Sequence, residues 1–100
     1  MTRRDLKVSL QEICDYALLE GRNTNWKNVV ESISRIWEEY HNTNPKELEQ
    51  NPDIAILLSN IESLLDSYAR AELFGENDNT IVFKLLCIGD IYRNIQVLKF

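Results

Sequence analysis

Residues 80–99, TIVFKLLCIGDIYRNIQVLK, constrain the fold more than any other stretch. Apolar side chains at Ile81, Val82, Phe83, Leu85, Leu86, Ile88, Ile91, Tyr92, Ile95, Val97 and Leu98 go most of the way round a helical wheel. A helix that is apolar on nearly every side needs other elements to cover it. The stretch therefore predicts the central helix of a small all-α domain, with Asn79 or Thr80 as its cap. A short strand over 81–83 is the competing reading, because Ile-Val-Phe has β propensity. No other stretch offers that strand a partner, so helix is expected. Gly89 costs a helix about 1 kcal/mol relative to alanine; its expected use is to let a neighbouring helix approach closely.

The rest of the chain reads as helices of ordinary length. Only 3 glycines and 2 prolines occur in 100 residues, which favours long helices over a many-turned β-sandwich. Residues 3–20 place Leu6, Leu10, Ile13 and Ala17 on one face, with Thr2 as cap and Gly21 as stop. Residues 25–41 align Trp26, Val29, Val30, Ile33, Trp37 and Tyr40 behind an Asn25 or Thr24 cap. The two tryptophans lie three turns apart; core packing and a contact surface are both open to them. Asn44-Pro45 opens a short extra helical turn near 45–50. Asn51-Pro52 then opens a third long helix that ends at Gly75, with Ile54, Leu57, Leu58, Ile61, Leu64, Leu65, Tyr68 and Ala69 on a wide apolar face. Short connections between consecutive helices make neighbours antiparallel. The expectation is a single domain over 1–100: an antiparallel four-helix bundle with the apolar last helix at its centre.

Targeting and redox signals are weak. Asp5, Lys7, Glu12 and Asp15 interrupt any apolar core of a signal peptide. The longest unbroken apolar run, Ile54 to Leu58, is far short of a membrane span. A cytoplasmic protein is expected. Cys14 and Cys87 read as two small buried hydrophobes in a reducing compartment.

Net charge is −5, but it is unevenly spread. Residues 38–78 hold ten acidic groups against Lys46 and Arg70, while the flanking segments are slightly basic. Such a middle repels nucleic acid and anionic membranes and steers a basic protein partner. The partner-binding candidates are Glu38, Glu39, Glu47, Glu49 and Asp53, with Tyr40 as an aromatic anchor. The bland alternative is a solvated face that keeps a small protein soluble.

Catalytic patterns are scarce. There is no phosphate loop, nucleophile elbow or His-Glu-x-x-His, and one histidine with no Cys-x-x-Cys provides poorly for a metal. No catalytic residue, metal or cofactor is expected. One pattern points elsewhere: Arg35 and His41 have the spacing of the small helical HEPN ribonucleases, although Ile36 stands where that family prefers a polar residue.

Pro52 followed by ILLSNIESLLDSYARA, a polar break and TIVFKLLCIGDIYRN resembles the C-terminal half of the four-helix immunity proteins against pediocin-like bacteriocins, the enterocin A immunity type. The resemblance covers roughly 45–98 and rests on helix spacing and apolar pattern. It implies a cytosolic bundle that guards its producer by acting on a bacteriocin-bound membrane receptor complex, with specificity in residues 76–100 and no catalytic residue. The function expected is thus a non-enzymatic protein-binding inhibitor or immunity protein that occludes a partner. Alternatives are a phage-type acidic inhibitor of a nucleic-acid-binding defence protein, the Arg35/His41 ribonuclease, and a self-assembling structural subunit that dimerises through the last helix.

Overall fold

The computed structural model describes residues 1–99, which are helical with no strand among them. The long helices are α1 (Arg3–Glu20), α2 (Trp26–Thr43), α4 (Pro52–Phe74) and α5 (Asp78–Val97); α3 (Glu47–Gln50) is a single turn. A 3₁₀ turn, Gly21–Asn23, leads from α1 towards α2. Residue 100, the last of the expected domain, lies outside the described residues.

Each start and stop has a local cause. Thr2 and Asp5 form a reciprocal capping box, satisfying two backbone donors that α1 leaves open. Asn25 caps α2, and Asn51 with Pro52 behind it opens α4. Gly21 at φ 53° and Gly75 at φ 96° end α1 and α4 in a backbone region that disfavours side chains with a Cβ. The last helix begins earlier than the sequence suggested. Asn77 is its cap, in a capping box with Thr80, so residues 78–79 are already helical. Asn44 does not cap α3. Its side-chain amide turns back to donate to the Tyr40 carbonyl at 3.0 Å and to the Met1 carbonyl at 2.8 Å.

The four long helices pack in a closed ring: α1 on α2, α2 on α4, α4 on α5, and α5 on α1, with α3 against α4. Contacts of Arg3 with Lys99, Gln11 with Gln96 and Arg22 with Asp78 run α1 and α5 antiparallel. Leu6, Leu10, Cys14, Ile33, Ile54, Leu57, Ile61, Leu64, Ile88, Ile91 and Ile95 fill the shared interior and are solvent-free or nearly so. Trp26 belongs to this core, and Trp37 packs half-buried at its margin. Cys14 and Cys87 are both buried, and burial pushes the Cys14 thiol up to about 12.

The ring corrects the expectation of a central last helix. With two neighbours, α5 keeps an outward face, and that face is apolar: Val82, Phe83, Leu86 and Val97 are each more than half exposed. Gly89 does not serve a close approach either. A Cβ built there meets only the Arg93 Nη1 atom, at 3.8 Å. Gly89→Ala is therefore expected to stabilise the fold by about 0.5–1 kcal/mol, read as a rise in the urea midpoint with an unchanged slope.

Candidate functional site

The ring has two poles, set apart along a long axis of 37 Å. One pole gathers the start of α1, the end of α2, α3, the start of α4 and the last residues of the described chain. It holds every partner-binding residue expected from the sequence.

That pole is organised by Arg3. Its guanidinium forks onto Glu47, Nε to Oε1 at 2.5 Å and Nη2 to Oε2 at 2.9 Å, while Nη1 donates to the Lys99 carbonyl at 2.9 Å. The Tyr40 hydroxyl donates to the same Glu47 oxygen at 2.7 Å. One side chain thus ties α1, α3 and the residues just past α5, and Tyr40 brings α2 into the same network. A bidentate, charge-assisted contact of this kind fixes geometry as well as adding energy. The electrostatics follow. The Arg3 fork, then the Tyr40 hydroxyl, holds the Glu47 carboxyl below its ordinary 4.5. Burial, then the Glu47 carboxylate, pushes the Tyr40 phenol up to about 12. Arg3 is raised, mainly by its hydrogen bond to Glu47.

Two of the expected contact residues are therefore committed inward. Tyr40 is 1% exposed and cannot serve as an aromatic anchor on the surface. It lies on the core stripe of α2 four residues from Ile36, and its hydroxyl is spent on Glu47. Glu47 is half-buried and paired, so it is a strut of the fold. Glu38, Glu39 and Glu49 are exposed, and Asp53 is half-buried in the first turn of α4. Beside them Met1, Thr2, Arg3, Arg4, Asn44 and Glu47 line an open hollow of about 600 Å³. The chemistry available here is charge contact: a fixed corner that presents carboxylates outward, with Arg4, Lys46 and Lys99 also exposed there.

Arg35 and His41 share α2, but six residues at about 100° each place them roughly 120° apart around it. Arg35 points to solvent, and the His41 ring stacks on Trp37 at 5.8 Å between centroids. Among the described residues no group of three or more His, Cys, Asp or Glu side chains is placed to hold a metal.

The opposite pole holds a polar feature that the sequence reading missed. Lys84 is 1% exposed. Its ammonium pairs with Glu76, in the loop before α5, and lies 4.9 Å from the centre of the Trp26 ring. A buried ammonium is costly unless paired, and the ring face supplies a second favourable contact. The Trp26 indole N–H is buried without a hydrogen-bond partner among the described residues. The signal for Lys84 was in the sequence. It sits at the i−4 and i−7 positions of Ile88 and Ile91, on the stripe that faces the core.

Comparison with protein-family models, with curated proteins and with solved structures yields no match.

Two variants test these networks. A carboxyl held below its unfolded value contributes stability that is complete above about pH 4.5 and lost as pH falls through the folded value. Glu47→Gln is therefore expected to unfold at lower denaturant than the native chain at pH 7, with the gap closing as pH falls below about 4.5. At the other pole, Glu76→Gln strands the Lys84 charge, whereas Lys84→Met removes it and keeps the volume. Glu76→Gln should destabilise more, and adding Lys84→Met to it should restore part of the loss, measured by chemical denaturation.

Proposed function

We propose that the protein is a non-enzymatic inhibitor or immunity protein of the cytoplasm, an antiparallel four-helix bundle that occludes one protein partner. The partner presents a basic surface, alone or as part of a membrane receptor complex. The observation that carries this reading is the carboxylate group at the Arg3 pole: Glu38, Glu39 and Glu49 face solvent from two elements, with Asp53 at their edge, on a corner locked by the Arg3–Glu47 fork. Preorganised surface charge of one sign speeds encounter with an oppositely charged partner and discriminates against others. Locking the corner before contact reduces the ordering cost of binding. The resemblance of residues 45–98 to the pediocin-like immunity proteins supports the same class of action.

The test starts with affinity purification of the tagged protein from its own host, with and without nuclease. One basic or membrane-transport protein that survives nuclease is the expected recovery. The triple reversal Glu38→Lys, Glu39→Lys, Glu49→Lys should leave stability within about 0.5 kcal/mol, because all three side chains are at the surface. It should weaken binding to the recovered partner about tenfold or more at low salt, with the difference narrowing as salt rises. Equal affinity of native and reversed protein across the salt series would remove the electrostatic basis of the proposal.

A further inference from the structure

The pole opposite Arg3 is apolar where it should be polar. Leu19 at the end of α1 is 84% exposed, and Leu73 and Phe74 at the end of α4 are 78% and 83% exposed. Val82, Phe83 and Leu86, on the first half of α5, are exposed at 52–60%. Helix direction brings these three elements to one end: α4 hands over to α5 through 75–77, and Arg22, just past α1, pairs with Asp78 at the start of α5. Isolated exposed leucines need no explanation, but large apolar side chains gathered at one end mark an interaction surface. A hollow of about 340 Å³ opens between α4 and α5 beside Phe83, with Ser67 and Thr80 on its walls. Hot-spot anchors at protein interfaces fill pockets of this sort.

Charge selects the occupant. Three cations here are held by carboxylates of the same pole, Arg22 by Asp78, Arg70 by Asp66, and Lys84 by Glu76, while Lys27 is exposed at the start of α2. Glu20 and Glu72 add exposed negative charge beyond those pairs. A second copy would set this acidic rim against itself, which disfavours self-association. We infer that this pole is a second docking surface, and that it takes a basic amphipathic helix of a partner protein. The apolar stripe of that helix covers Phe83, Leu86 and Phe74, one side chain enters the hollow, and its lysines or arginines meet Glu20 and Glu72. Such helix-in-groove recognition reads anchors at helical spacing. The inference stands on this pole alone and does not rest on the carboxylates at the other.

The experiment uses the full chain and a fluorescein-labelled amphipathic peptide of leucine and lysine at helical spacing, with a leucine–glutamate peptide as control. Fluorescence anisotropy should show saturable binding of the lysine peptide and none of the control. Phe83→Glu and Phe74→Glu, both at exposed positions, should each weaken binding about tenfold or more, with thermal unfolding unchanged. Glu20→Lys with Glu72→Lys should weaken it chiefly at low salt. The triple reversal at Glu38, Glu39 and Glu49 should leave it unaltered, which separates this surface from the one proposed above. Equal binding by the Phe83 and Phe74 variants would overturn the inference. So would concentration-dependent dimerisation in sedimentation that Phe83→Glu abolishes, since the occupant would then be a second copy. Binding to zwitterionic vesicles stronger than to the peptide would assign the patch to a lipid surface instead.

Discussion

None of the four long helices can bury its apolar stripe alone, and everything else in the molecule follows from that. Each stripe is closed only when two neighbours cover it, so the helices form a ring around one seam of leucine and isoleucine. At roughly 25 cal/mol per Å² the seam is the dominant favourable term, set against a conformational cost of similar size. The ring also explains what is left outside. A helix with two neighbours has a third side, and in α5 that side is apolar because its sequence is apolar almost all round.

Polar contacts close the two ends of the seam by different means. At one end Arg3 crosses between elements that are distant in sequence and satisfies a carboxylate, a carbonyl and, through Glu47, a phenol. The groups there are partly open to water, so the desolvation cost is modest and the geometry does most of the work. At the other end Lys84 is sunk among apolar neighbours, with a carboxylate on one side and an indole face on the other. That arrangement contributes little net stability but penalises any packing in which Glu76 moves away. It holds the 75–77 connection against the second turn of α5.

Much of the architecture was legible from the chain. The caps at Thr2, Asn25 and Asn51 and the stops at Gly21 and Gly75 are local chemistry, readable from a few adjacent residues. The start of α5 was misplaced because Asn77, Asn79 and Thr80 are all acceptable caps, and only the whole loop decides among them. The centrality of α5 was misjudged for a different reason. A helical wheel says which faces are apolar, not how many neighbours are available to cover them. Tyr40 and Glu47 looked like surface recognition residues because tyrosine and glutamate usually are. Their partner, Arg3, lies 44 positions from Glu47, and no periodicity argument reaches that far. Lys84 fell the other way: its position on the buried stripe was readable, but its charge argued against believing it.

The Arg3 network has a consequence for how the molecule meets its surroundings. Met1 is fastened through its carbonyl to Asn44, and Lys99 through its carbonyl to Arg3. The first and last described residues thus lie within one small region. A polypeptide joined ahead of Met1 emerges there, beside Asn44 and the Arg3–Glu47 fork, and adds its bulk to that side. The far tip, with Leu19, Leu73 and Phe74, then faces outward like the head of a pin.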